Sequence, residues 1–449
     1  MNRRLRLGWL RRAPLMLIAL AAIGCAYQLI RSGAVDNAKV SKIEAGLQQI
    51  RQLSFLKPVP LVVENRKEAD QDIQAQLTHD VSDEEFRIDG RTGVLIGLYP
   101  AGIDVKQEAL KLLDAQVAGF YDPDTKRMIL VSGTTDAGVW NGAAEFVMQR
   151  DLMGEMVLAH ELTHALQDQH FDLSGKLDAL KDNDDRALAL KSVAEGDATI
   201  TGFAYVIGGM DQPRLDMLVS RLSDLPEMFA KEAKFAPEGL REPLVFQYSA
   251  GVKFVAEAYR RGGYGAVDQL FKQPPQSSQQ ILHPELYFDN PTPPARITVA
   301  GYQTALAGWK KADENCEGEL GLSIILKLAF GAGTRQAALA EAWRGDRIVS
   351  MTRGPDLSVI WLIDLSSERA ASQFAAAYTD ALDRRLMMQT PHRVDYESTR
   401  VLVVIGEAAR AFPQMENEVF AQSRVTIPPP APRPALPAPV RAQLPAPPA

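Results

Sequence analysis

The chain has 449 residues, of which 46% are apolar and 23% charged, with a net charge of −7. That length and composition fit a globular protein of two or three domains. The acidic balance, with no basic cluster in the body of the chain, excludes nucleic acid as the expected partner. Of the two cysteines, Cys25 and Cys316, the first lies in the N-terminal apolar stretch, so a disulfide framework is excluded as well.

Arg3, Arg4, Arg6, Arg11 and Arg12 precede an apolar run from Ala13 to Gly24, the n-region and h-region of an export signal. Ala22-Ile23-Gly24-Cys25 is similar to a bacterial lipobox, in which the cysteine is lipidated. Ala13 to Ile30 is also about long enough to span a bilayer as an uncleaved anchor, and simple cleavage is a third reading. Each places the body outside the cytoplasm, on the periplasmic side of the cell envelope. Residues 1–33 are therefore set apart as a signal or membrane anchor.

Asp36 to Ser54 carries Val40, Ile43, Leu47 and Ile50 on one helical stripe. Val59 to Val63 reads as a short strand, and Glu68 to Leu77 and Val105 to Val117 as helices. Asp122-Pro123-Asp124 is turn chemistry and predicts a hairpin whose second arm is Arg127 to Val131. Helices follow at about Ala143 to Gln169, Asp184 to Ile207 and Asp211 to Phe235. Pro243 to Tyr259 leads into another, and Pro274 to Pro294 reads as a long ordered loop. After Thr298 the texture changes. Helices at Leu320 to Phe330 and Thr334 to Trp343 precede strands at Arg347 to Thr352 and Ser358 to Leu365. A helix capped by Ser366, a strand at Arg400 to Ile405 and a helix from Glu407 to Gln422 complete a small α+β module. From Pro428 to Ala449, 10 of 22 residues are proline, which predicts an extended, disordered tail. The expected boundaries are 34–297 for the main domain, 298–424 for the module and 425–449 for the tail.

The chemistry concentrates in Val157-Leu158-Ala159-His160-Glu161-Leu162-Thr163-His164-Ala165-Leu166-Gln167. Positions four apart on a helix share a face, so His160 and His164 can grip one zinc ion, with Glu161 beside them to polarise a bound water. The surrounding residues are apolar on most sides, which predicts a buried helix. Two histidines and a glutamate buried without a partner would be unfavourable, and a metal is that partner.

A catalytic zinc takes three protein ligands and leaves one position open. His170 follows six residues after His164, but Gln167 stands where the chain would need a glycine to turn back. On a continuing helix His170 lies about 9 Å further along the axis. Glu195 is the stronger candidate: it sits on the next predicted helix, and Gly196 and Ala198 permit the helices to approach closely. Asp168 and Asp197 read first as helix-surface charges, with partners that orient the histidines as the other reading. Cys316 reads as a free thiol, and Met210 only weakly as the methionine of a turn beneath a metal.

His160-Glu161-x-x-His164 with the downstream Glu195-Gly196-x-Ala198 resembles the gluzincin zinc metallopeptidases, the thermolysin-like branch of the zincin fold, over roughly Val59 to Tyr259. The resemblance implies an α+β zincin-like domain with a mainly helical lower part, divergent in its glutamate spacing. It implies Zn2+ held by His160, His164 and Glu195, with Glu161 as general base on a zinc-activated water. It implies an edge strand ahead of the zinc helix that binds extended substrate, for which Met128 to Val131 is the matching stretch. Tyr248-x-x-Gly251 looks like the segment whose tyrosine stabilises the oxyanion in gluzincin aminopeptidases, with His283 and Tyr287 as rivals. The expected function is a peptidase of the bacterial cell envelope acting on a peptide or protein substrate and tied to the membrane by its N-terminus. A non-proteolytic zincin scaffold used for binding or assembly is the alternative. An aminopeptidase ranks last, because no anchor for a free amine is evident.

Overall fold

The computed structural model describes residues 30–31, 34–114, 119–132, 152–224, 226, 236–386 and 390–429. The export signal, the start of the predicted helix at 143–151 and the proline-rich tail past Pro429 lie outside these residues. Among the described residues no helix is long and apolar enough to cross a membrane.

A two-residue ladder of β1 (Ile30–Arg31) and β2 (Ala34–Val35) leads into α1 (Asn37–Arg51), whose apolar stripe is buried as its period predicts. β3 (Leu61–Asn65) is followed by α2 (Arg66–Asp80), α3 (Asp83–Ile96) and α4 (Val105–Asp114). The hairpin of β4 (Gly119–Asp122) and β5 (Arg127–Ser132) comes next. The strand order is β3-β5-β4, with β3 parallel to β5 and β4 antiparallel to it. Side chains alternate across this sheet. Tyr121, Met128 and Leu130 pack on α1 and on α5 (Leu152–Phe171), while Phe120, Ile129 and Val131 join a core with α2 to α4.

The order corrects one expectation. Met128 to Val131 is the central strand, paired on both sides, and cannot take up an extended substrate. Among the described residues the edge strand beside α5 is β4.

Beneath the sheet, α5, the short α6 (Leu173–Asp178) and α7 (Asp184–Ile207) make a helical hairpin. It packs against α8 (Gln212–Leu222) and the long α9 (Glu238–Lys272). α9 begins five residues before Pro243 and is broken at Gly262–Gly263, where Gly263 takes a φ of 60°. The helices cross so closely that a Cβ added to Gly196 of α7 would stand 2.6 Å from the Gly251 carbonyl oxygen of α9. Gly196→Val is accordingly expected to destabilise the fold by about 1–3 kcal/mol, read as a lower urea midpoint at unchanged slope.

The stretch expected to be a long loop holds two short helices, α10 (Ser278–Leu282) and α11 (Glu285–Phe288). β6 (Arg296–Thr298) then opens the C-terminal part, where it pairs with β12 (Arg424–Thr426). Between them lies an antiparallel sheet of order β10-β11-β9-β8-β7. Its strands are β7 (Lys310–Asn315), β8 (Trp343–Arg353), β9 (Asp356–Leu365), β10 (His392–Glu397) and β11 (Arg400–Ile405). α12 (Gly318–Phe330), α13 (Thr334–Glu341) and α14 (Glu368–Leu386) cover one face. A 3-10 turn (Glu407–Ala411) and α15 (Phe412–Gln422) cover the other. The cap of α14 is Ser367, which accepts from Ala370 N at 3.2 Å, and not Ser366.

This part is fused to the rest. One core runs from Phe86, Tyr99 and Phe120 through Tyr248 to Trp343, Trp361 and Phe374. The Tyr378 hydroxyl donates to the Ile96 carbonyl at 2.7 Å, and the Thr92 and Ser350 hydroxyls meet at 2.8 Å. The result is a mixed α+β chain in which α5, α7 and α9 lie stacked under the edge strand β4.

Candidate metal centre

His160 and His164 leave α5 on one face, one turn apart, and α7 runs back across that face. The approach depends on small residues: a Cβ on Gly202 of α7 would lie 3.0 Å from the Met156 carbonyl oxygen of α5. Glu195 is thereby placed opposite both rings. His160 Nε2 and Glu195 Oε2 are 3.2 Å apart, His164 Nε2 and Glu195 Oε2 3.6 Å, and the two Nε2 atoms 3.0 Å. Nitrogen and oxygen donors about 2.0–2.1 Å from a tetrahedral zinc stand about 3.3 Å from one another, a value the three contacts straddle. The three residues are at most 1% exposed. Lone pairs turned on a single point in a dry interior call for a cation. The donor atoms of His160, Glu161 and His164 also lie within 4.8 Å of one another, so Glu161 stands beside whatever the three donors hold.

The electrostatics agree with that geometry. Burial pushes the Glu161 carboxyl up to about 8, against the pull of His164. Burial also lowers His160, to about 4. In His164 burial opposes the charge but Glu195 outweighs it and raises the group, while burial of Glu195 is overcome by His164 and His160, which hold its carboxyl down.

The edge strand and α9 complete the site. Tyr121 N of β4 donates to Glu161 Oε2 at 3.0 Å, and the Tyr121 hydroxyl donates to Asp168 Oδ2, two turns further along α5, at 3.0 Å. Tyr248 of α9 is 6% exposed. Burial first, then the charges of Glu195 and Glu161 and a hydrogen bond to Glu195, push its hydroxyl well above the usual tyrosine range.

The rivals fall away. His170 is hydrogen-bonded through Nε2 to the Ser54 carbonyl at 2.7 Å. His283 pairs with Glu319 at 2.9 Å, and the Tyr287 hydroxyl donates to the Gln273 carbonyl at 2.5 Å. Cys316 donates to Asp346 at 3.0 Å, in the core of the C-terminal part, and Met210 packs in the core shared with α8 and α9.

Two expectations are corrected. Asp168 and Asp197 are not surface charges, being 7% and 0% exposed. Asp168 ties Tyr121, Lys126 and Ser174 to α5. Asp197 accepts from Gln167 at 2.9 Å, and the Gln167 oxygen accepts from His164 Nδ1 at 2.9 Å. Gln167 and Arg51, which faces Asp197, are site residues that the motif did not reveal. The available signal was a glutamine three residues past His164 on an otherwise apolar helix.

A family model described as "Domain of unknown function (DUF8575)" matches residues 303–426, the stretch that encloses the five-stranded sheet. No curated protein and no solved structure matches the chain.

Proposed function

We propose that the chain is a zinc-dependent peptidase, a divergent gluzincin. The observation that carries this reading is the convergence of His160, His164 and Glu195 on one buried point, with the Glu161 carboxylate beside it. Zinc, when bound there, supplies Lewis acidity that activates a water and polarises a carbonyl. Glu161 accepts the water's proton and later delivers it to the leaving amine, a task suited by a carboxyl that burial has raised toward neutrality. Tyr121 N aims the Glu161 carboxylate. An extended substrate lies along the free edge of β4, which has one strand partner among the described residues. Tyr248, whose buried hydroxyl lies beside Glu195, offers it to the oxygen on which negative charge develops.

The segment from Arg3 to Cys25 supports a place at the cell envelope, periplasmic side, held by lipid or signal anchor. The test is cleavage of a broad peptide library by the zinc-loaded chain, lost with a chelator and restored by zinc. A loaded chain inert on such libraries would assign the protein to the non-proteolytic scaffold instead. Tyr248→Phe is expected to lower kcat about 10²–10³-fold with little change in KM.

A further inference from the structure

Gln167 is fully buried and lies one turn past His164 on the same face of α5. Its amide has one possible orientation. Nε2 donates to the Ala194 carbonyl and to Asp197 Oδ2, each at 2.9 Å, which uses both hydrogens. The oxygen is then the atom that meets His164 Nδ1, at 2.9 Å. The flipped amide would set its oxygen against a carbonyl and a carboxylate in a dry interior, two acceptor–acceptor contacts with no hydrogen between them. A carbonyl oxygen only accepts, so His164 Nδ1 carries a hydrogen and Nε2 presents its other side to Glu195 and His160.

The orientation is secured from further away. Asp197 is fully buried, and its charge is met by Arg51 Nε at 2.9 Å. Arg51, the last residue of α1, is itself buried, lies 2.6 Å from Asp268 Oδ1 and sits 4.9 Å over the Tyr264 ring. The Thr201 hydroxyl links Asp197 to Tyr264 at 3.3 and 3.1 Å. An unpaired Asp197 would be expensive to bury, so Arg51 is what allows it to stand there and hold the amide.

We propose that Gln167 is a positioning residue that transmits the buried Arg51–Asp197 ion pair to His164, fixing its Nδ1–H form and so aiming Nε2 at the metal position. This rests on the metal centre read above, but the hydrogen on Nδ1 is a property of the chain itself. The test uses the full chain as Gln167→Met, Asp197→Asn and the two combined, with His164→Ala to assign the signal. The first readout is the His164 ring N–H in nitrogen-15 spectra of zinc-free and zinc-loaded protein. The wild type is expected to give a slowly exchanging Nδ1–H in both, and Gln167→Met to lose it.

The second readout is zinc affinity by chelator competition. Gln167→Met is expected to bind 10–100-fold more weakly. The combined variant is expected to be no weaker than Gln167→Met alone, because Asp197 acts through the amide. An unchanged ring N–H in Gln167→Met, or losses that multiply in the combined variant, would overturn the relay. Should Asp197→Asn fail to fold, the ring signal of Gln167→Met decides alone. A wild type that binds no zinc but shows the Gln167-dependent N–H would sink the zinc reading and leave the relay standing.

Discussion

Glu161→Gln is expected to keep its zinc and to lose hydrolysis about 10²–10⁴-fold in kcat, the usual contribution of a positioned general base. The substitution changes little else. The amide oxygen can still accept from Tyr121 N, which meets Glu161 at 3.0 Å. None of the three converging donors is altered. Stability should not suffer either. The carboxyl is raised from its ordinary 4.5 to about 8 by burial, so in the zinc-free protein the folded state binds that proton more tightly than the unfolded state. Stability therefore falls as pH rises across that window, and the amide removes the fall. Single-turnover cleavage by the zinc-loaded variant, with urea unfolding of the zinc-free form at pH 5 and pH 8, reads both effects. Cleavage at the wild-type rate would remove Glu161 from the mechanism.

Glu195→Ala is expected to abolish zinc retention and to destabilise the zinc-free fold. The first effect should exceed the 10–100-fold that loss of a mere supporting partner brings, because a ligand itself is removed. The second follows from the pairing. Glu195 is the anion that lies 3.6 Å from the buried His164 ring, and removing one partner of a buried pair is strongly destabilising, by about 3–5 kcal/mol. Glu195→Gln preserves the volume and separates the two effects, since it weakens the metal site while still filling the space between α5 and α7. Metal analysis after dialysis, beside thermal unfolding, distinguishes them. Zinc content equal to the wild type in Glu195→Ala would show that another group closes the site.

The cluster of His160, His164 and Glu195 was legible in the sequence because most of its determinants are local. A four-residue spacing on one helix puts His160 and His164 together whatever surrounds them. Glu195 needed only the inference that a helical hairpin returns across α5, although Gly196, read as the mark of that crossing, faces Gly251 of α9, and Gly202 is the glycine that meets α5. The second layer was not legible. Arg51 looks like an ordinary cation in the last turn of α1, yet its burial is set by Asp197, 146 residues away. Asp197 looked exposed because two helices cover it, and no periodicity in α7 records which neighbours those are.

The sheet failed differently. Alternation identified the β4–β5 hairpin, but whether Met128 to Val131 is an edge depends on the parallel pairing with Leu61–Asn65, to which local pattern is blind. α3 was overlooked because Gly90 and Gly93 dilute its apolar stripe. Its start was nonetheless written in the capping box of Ser82 and Glu85, in which each side chain receives the other's backbone N–H. β7 and β10 escaped notice because, as edge strands, they carry charge in place of an apolar run.

The central claim is that one zinc ion is held by two imidazoles and a carboxylate, from His160, His164 and Glu195. Zinc K-edge absorption on the loaded wild-type chain tests it most directly. The account predicts one zinc per chain with nitrogen and oxygen neighbours at about 2.0–2.1 Å, a two-imidazole scattering pattern that drops to one in His164→Ala, and no sulfur shell near 2.3 Å. A sulfur neighbour, a single imidazole in the wild type, or a chain that takes up no zinc would contradict it.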